Sequence, residues 1–465
     1  MRTILKLSFA LLAFLGFASC EKMLELDPLE TGIEEQQAFQ TKTDMQEFLN
    51  STYDVMGSAY SGRLQNLGEL LSDNLESPNS NDDLTEVYNH NMLIFNGTIA
   101  PIYGDPYIGI FRANRILEYL EEKDFGFTEA ELKQIRGECY FLRALGHFDV
   151  VRLFAQPWGY TADNSHPGII YKTSSAISLD PRPSVASVYQ NLEKDLLLAI
   201  ADLPLQNTIY ATKYSAQGLL AKMYFQQGRY TEAANMASEV INSGAFMLDT
   251  AQNRFRTDVS VEAVFTTVST RLSDGRELSK SYGFADNYGK SNNNNPTLSL
   301  SRDFYNVYAA DTSDKRLGLI EVLNPGEPNE VIILRKYSGD YFNVPVIHLT
   351  DLKLLRAEAL AESGGDLTTA IADVNDIKER AYGDTQHNLA FNSSAGDVIA
   401  AARFERRFEM IGEGDRIQQL KRRGAIEGET IQVRGDDWNC NGMIIQFPSV
   451  QQTEVFPLNP TGGCK

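Results

Sequence analysis

Three carboxylates, Glu405, Glu409 and Glu413, recur at every fourth residue, a spacing that puts side chains on one face of a helix. Such a row could hold a metal ion or divide acid and base work between its members. Arg403, Arg406, Arg407 and Arg416 stand close by in the chain, and no inward-facing histidine accompanies the row. The row therefore reads as an ion-paired face that braces the fold. The acidic pairs Asp82-Asp83 and Asp436-Asp437 offer no glycosidase chemistry by themselves, because adjacent side chains point apart, whereas glycosidase carboxylates come from separate segments and flank the scissile bond. His90, His147, His166, His348 and His387 are scattered, and His147 falls on an apolar helical stretch as a core residue. The chain has no GxSxG, HExxH or phosphate-loop pattern. These residues indicate a binding protein without catalytic residues, bound metal or cofactor.

Recognition of a sugar calls for flat aromatic faces against C–H groups, and amide or carboxylate side chains against hydroxyls. Two segments carry that mixture outside any helical stripe. The first, Asp73 to Tyr107, contains Asp73, Asn74, Asn79, Asn81, Tyr88, Asn91, Tyr103 and Tyr107. The second, Tyr282 to Tyr308, contains Tyr282, Phe284, Asn287, Tyr288 and the polar run Ser291–Pro296, expected as an exposed loop. The candidate ligand-binding set is Asp73, Asn74, Tyr88, Tyr103, Tyr107, Tyr282, Phe284 and Tyr288; for each tyrosine the competing reading is half-buried packing.

Helices must position these segments. Thr41 to Tyr60 and Phe111 to Lys123 carry apolar residues in a helical rhythm. A longer helix is predicted from Thr128, where Thr128 and Glu131 make a capping box, to about Phe154, with Pro157 beyond it. Another runs from Ser184 to before Pro204. Residues 214–243 resemble a tetratricopeptide repeat: Ala221 and Tyr224 on one helix, Gly228 and Tyr230 at the turn, Ala233 and Ala237 on the next. Leu354 to Ala381 repeats the pattern with Ala357, Leu360, Gly364-Gly365 and Ala370. Between the copies, short β-branched runs such as Ala263–Val268 and Glu330–Arg335 sit in irregular sequence. The predicted class is mainly α: a tetratricopeptide-like scaffold with long loops and a few short strands.

The N-terminus reads as an export signal. Arg2 and Lys6 precede an uncharged stretch, Leu7 to Ser19, too short to span a bilayer, and then Cys20. That arrangement predicts a lipoprotein signal peptide over 1–19 and lipid on Cys20; Phe17 departs from the usual leucine-like residue. A lipidated tail over 20–40, a helical region over 41–244 and a loop-rich, then helical region over 245–465 complete the expected organisation. The net charge of −20 disfavours nucleic acid and anionic headgroups. Of the remaining cysteines, Cys139 reads as a buried thiol, and Cys440 with Cys464 as a candidate disulfide in an oxidising location.

Five ordered landmarks make the chain resemble the SusD/RagB family of surface nutrient-binding lipoproteins. They are Cys20-Glu21-Lys22-Met23-Leu24 with Asp27-Pro28, Tyr107–Leu117 (YIGIFRANRIL), Glu138–Pro157 (ECYFLRALGHFDVVRLFAQP), Glu405–Arg422 (ERRFEMIGEGDRIQQLKR), and Pro448, Glu454 and Asn459-Pro460. Gln419 stands where the family usually has Asp, and tryptophan is confined to Trp158 and Trp438. The resemblance implies an outer-membrane, cell-surface protein that takes an oligosaccharide, or in some relatives a peptide, and delivers it to a SusC-like TonB-dependent transporter. It also implies ligand contacts in the two segments named above.

Overall fold

The computed structural model describes residues 39–249, 254–255, 260–271, 277–278, 281–289, 294–337 and 342–464. The expected leader, Cys20 and nearly all of the expected tail lie outside them. Residues 1–47 and 48–465 are separate compact units. Of the first, the described part is 39–47, which opens helix α1 (Lys42–Ala59).

In chain order α1 is followed by α2 (Arg63–Leu70), α3 (Asp82–Tyr88), α4 (Ile99–Glu122), α5 (Glu129–Phe154), α6 (Val185–Asp202), α7 (Lys213–Gln226) and α8 (Tyr230–Ile241). Short strands β1 (Ala263–Thr267), β2 (Thr270–Arg271) and β3 (Glu277–Leu278) precede α9 (Tyr282–Tyr288) and α10 (Arg302–Ala309). Next come β4 (Ile320–Leu323), β5 (Val331–Leu334) and β6 (Val344–His348), then α11 (Leu349–Glu362), α12 (Leu367–Tyr382), α13 (Ala395–Glu409), α14 (Arg416–Ile426), β7 (Gln432–Val433) and β8 (Asp436–Asp437). The strands form antiparallel pairs, β1 with β6, β2 with β3, β4 with β5 and β7 with β8. The change from helices to irregular structure at residue 245 falls inside the second compact unit.

Local chemistry explains the helix limits. Thr128 accepts from the Glu131 N–H and the Glu131 carboxylate accepts from the Thr128 N–H at 2.9 Å, closing the capping box of α5. Ser184 caps α6 in the ordinary way, accepting from the Ser187 N–H. Helix α4 corrects the expected start at Phe111, because it begins twelve residues earlier and contains Pro106. Ile99, Ile102, Tyr103, Pro106, Ile110 and Ala113 are buried at helical spacing, so their burial compensates for the hydrogen bond proline removes.

Helices α4 to α8 pack in sequence order, and α8 then packs on α11, which also carries α12 and α13. Both repeat-like hairpins are present, as α7–α8 and α11–α12. Ala221, Ala233, Ala237, Ala357 and Ala370 are fully buried where the helices meet, and larger side chains there would force them apart. Gly228, at φ 70°, turns the first hairpin, and a Cβ there would lie 2.6 Å from Ile426.

The acidic row is a bracing device, as read, but its partners differ from those expected. Glu405 pairs with Arg316 at 2.7 Å and Lys378 at 3.2 Å; Glu409 with Arg380 at 2.6 Å and Arg316 at 3.1 Å. Helix α13 ends at Glu409, so Glu413 sits in the following turn rather than on the same helical face, against Lys336 (2.5 Å), Arg254 (3.0 Å) and His348 Nε2 (2.9 Å). An inward-facing histidine therefore does accompany the row. The nearby arginines look elsewhere: Arg403 to Glu358 and Glu427, Arg406 to Asp351 and Asp415, Arg407 and Arg416 to Asp73. Burial pushes the Glu409 carboxyl up, but Arg380, Arg316 and Arg254 outweigh it and bring the value to about 2. Glu413 is likewise held well below the carboxylate range, by Lys336 and Arg254 against burial.

Because these folded values lie below the unfolded ones, the stabilisation is complete above about pH 4.5 and is lost as pH falls toward about 2. Glu409→Ala leaves Arg316 and Arg380 short of a buried partner and should cost about 3–5 kcal/mol in urea unfolding at pH 7. The deficit relative to the native chain should shrink when the comparison is repeated at about pH 3. Cys440 and Cys464 form a disulfide at a sequence separation of 24. Cys464→Ser should lower stability by about 3 kcal/mol, read as a lower Tm under non-reducing conditions.

Candidate ligand-binding face

The two polar segments, some two hundred residues apart in the chain, are zipped together. Leu75 and Leu300 form an antiparallel bridge, flanked by Glu76 N–H to Ser299 O at 3.0 Å and Asn79 N–H to Thr297 O at 2.9 Å. Ser301 N–H donates to Asn74 O at 2.8 Å, and the Asn79 amide donates to Asn295 Oδ1 at 2.7 Å. On the resulting face Glu76, Asn79, Asn294 and Asn295 are exposed. Arg335 donates to Asn294 Oδ1 at 3.1 Å while pairing with Glu321, which orients that amide. Pro296, expected in an exposed loop, is buried where the run enters the zipper.

The candidate residues divide. Tyr88, at the end of α3, is half-buried, with the Arg434 guanidinium 4.1 Å from its ring centre. Tyr282 is half-buried under Arg63. Asp73 is a bracket: Arg416 holds both its oxygens, at 2.8 and 2.9 Å, and against burial the two arginines bring its carboxyl to about 2. Asn74 is buried between Glu69, to which it donates at 3.0 Å, and Arg407, from which it accepts at 2.9 Å.

Three aromatic assignments, Tyr103, Phe284 and Tyr288, are corrected as surface grips, while Tyr107 is half-buried. Tyr103 is buried on α4, its ring near those of Phe154 and Phe447, and Tyr107 beside it donates to Ile170 O at 2.6 Å. Phe284 and Tyr288 are fully buried on α9, in a cluster with Phe255, Tyr337 and Phe342. The reason is amphipathicity: the segment from Tyr282, read as loop, forms a short helix whose apolar side faces inward. Asn74 joins them as an interior hydrogen-bonding residue.

Two exposed apolar residues within the first segment are ones the sequence reading passed over. Phe95 is 81% exposed and Leu93 56%, on the loop between α3 and α4. This loop is pinned from within. The buried Asn96 amide donates to Asp83 O at 2.8 Å and Glu86 at 2.9 Å and accepts from Thr98 N–H, while Glu86 also accepts from Leu93 N–H. The signal was Met92–Phe95, an apolar run between asparagines in a stretch too short for a helix of its own.

The geometry offers hydrogen bonding and stacking rather than bond cleavage. His90, Asp436 and Cys464 approach one another, but the sulfur is in the disulfide and His90 is engaged with Asp436 and Arg434. Glu358, Glu362 and Glu427 also cluster, around Arg403. His147 is neutral and satisfied: Nδ1 donates to Arg143 O and Nε2 accepts from Lys172 N–H, with burial driving its value down to about 3. A cavity of about 70 Å³ lined by Tyr60, Asp149, Arg152, Lys222, Glu413 and Asp415 has room for water but not for a sugar.

Residues 29–225 match a family model described as starch-binding and associating with the outer membrane, and residues 333–442 match a second SusD family model. A SusD-like protein of Formosa agariphila is 27% identical over 215 residues, a match covering 44% of this chain and 40% of the relative. A SusD superfamily structure from Bacteroides thetaiotaomicron superposes with a TM-score of 0.78 at 23% identity, over 90% of this chain and all of the other. A laminarin-binding SusD-like protein gives 0.66 at 21%, over 91% of this chain and all of the other. The helical scaffold and its draped segments define a binding protein of the SusD type. The chain belongs to the SusD family, whose members are binding proteins associated with the outer membrane, not enzymes. No helix among the described residues is long and apolar enough to cross a membrane.

Phe284→Ala should cost about 3–5 kcal/mol in chemical unfolding, as expected for an emptied aromatic core site. Phe95→Ala should stay within about 0.5 kcal/mol of the native chain in the same measurement.

Proposed function

We propose that this protein captures a glucan oligosaccharide on the face zipped together from the two polar segments. Held at the cell surface by lipid on Cys20, it passes the ligand to a SusC-like TonB-dependent transporter. The carrying observation is the joining of the segments: the shared bridge at Leu75 and Leu300 sets exposed Asn79, Asn294 and Asn295 on one surface, and α3, which follows in the chain, ends in half-buried Tyr88 with exposed Phe95 on the loop after it. Amides suit hydroxyls, and the open Phe95 ring suits the C–H side of a pyranose. The family model described as starch-binding and the laminarin-binding neighbour support a glucose polymer as ligand. A neutral ligand also agrees with a chain of net charge −20.

A few stacked rings at about 1 kcal/mol each, set against the cost of ordering the ligand, lead to modest affinity. Calorimetric titration of the protein lacking residues 1–20 with malto-oligosaccharides, laminari-oligosaccharides and a peptide panel tests the reading. Expected is binding of one glucan series, weakened about tenfold, about 1.4 kcal/mol, by Phe95→Ala and by Asn79→Ala with Tm unchanged. Heat from peptides alone would replace glycan by peptide capture. Unaltered glucan binding in both variants would move the site off this face.

A further inference from the structure

A second recess lies in the second unit, between the later part of α1, the loop before α7 and strand β1. It encloses about 170 Å³ and is lined by Asn50, Tyr53, Tyr210 and Phe265 among others, with Thr266 and Thr267 along the strand. Tyr53 and Tyr210 stand 4.9 Å apart with their rings tilted by 53°, and Phe265 lies behind Tyr53 at 6.4 Å. Tyr210 donates to Asn50 Oδ1 at 2.8 Å, and the Tyr53 hydroxyl accepts from Ala211 N–H at 3.1 Å. Both rings are thereby oriented at the hydroxyl end and half-exposed at the groove. Thr267, 5% exposed, borders the same groove, and its buried hydroxyl has no hydrogen-bond partner among the described residues. A buried hydroxyl without a partner is uncommon in a settled interior and calls for an explanation, which a polar group held in the adjoining groove would supply.

We infer that this groove is a second carbohydrate site, separate from the zipped face, that takes a single pyranose ring such as the end residue of a glucan. Its volume falls below the roughly 300–1,000 Å³ of pockets that enclose larger ligands, so an internal stretch of oligosaccharide is too large to enter. Its lining combines two aromatic faces with an amide and hydroxyls, the pairing that suits a ring with a C–H side and an O–H edge. The assignment of glucose chemistry rests on the proposed glucan function; the existence of a second, ring-sized site rests on the groove itself.

The test uses the purified full chain with glucose as probe for the groove and maltotriose and laminaritriose as probes for the face, read by saturation-transfer NMR. Glucose should give a signal that falls at least fivefold in Tyr210→Ala and persists in Phe95→Ala. Thr267→Val, which removes only the unpartnered hydroxyl, should fold with an unchanged or higher Tm and weaken the glucose signal as well. That result keeps the proposal testable if Tyr210→Ala were to unfold. A glucose signal that survives Tyr210→Ala and Thr267→Val overturns the second site. Trisaccharide binding with no glucose signal overturns it too, while leaving the face intact; silence from every sugar overturns both readings.

Discussion

Burying a carboxylate obliges a protein to bring cations or hydrogen-bond donors to it, and that obligation organises this fold. Glu405, Glu409 and Glu413 lie within nine residues of one another, at the end of α13 and in the turn after it. Their partners Arg254, Arg316, Lys336, His348, Lys378 and Arg380 come from the irregular central region, from the end of β6 and from α12. The irregular segments pack an aromatic cluster of Phe255, Phe284, Tyr288, Tyr337 and Phe342, and the ion pairs supply their polar attachment. Charge pairing in a desolvated interior, where it is strong and directional, ties them to the helices.

The same logic reaches the candidate face. Arg407 and Arg416, on α13 and α14, clasp Asp73, and Arg407 also holds Asn74. Glu69, on α2, accepts from the N–H groups of Gly412 and Gly414 at 3.1 and 3.0 Å. Gly414 has φ 75°, and a Cβ there would lie 2.8 Å from Gln65 O, so the turn after α13 can press against α2 only as glycine. The zipper at Leu75 and Leu300 therefore starts from a base fixed at one end by the C-terminal helices. Asp73 and Asn74, which have the chemistry of ligand-binding residues, are engaged within the fold and position the face.

How much of this was legible beforehand depends on whether a property is local. Helix α5 was, since its cap, its stripe and its end are all written between Thr128 and Pro157, and both alanine-rich hairpins were. Burial of an individual ring was not. Tyr88 and Tyr288 sit in similar asparagine-rich surroundings, yet one lies half open under Arg434 and the other is enclosed beside Tyr337. The difference comes from partners distant in the chain, Arg434 far beyond Tyr88 and Tyr337 well past Tyr288. Phe95 was hidden for the opposite reason: an apolar side chain in an apolar run suggests interior, and only the Asn96 anchor turns it outward. The ion pairs of the acidic row followed the same rule. Four arginines near it in sequence invited pairing, but the helix geometry points them at α11, α14 and Asp73.

The disulfide has a bearing on when the face can exist. Gly442 and Gly463, flanking the two cysteines, pass so near the His90 carbonyl that a Cβ would collide with it, and Gly463 also abuts Asn91. The sulfur bridge thus clamps the last residues of the chain onto the foot of the loop that presents Leu93 and Phe95. Thiols in a reducing cytosol stay apart, whereas beyond the inner membrane they can join. Closure of the bridge, and with it the clamp on the foot of that loop, therefore depends on the redox setting in which the chain folds.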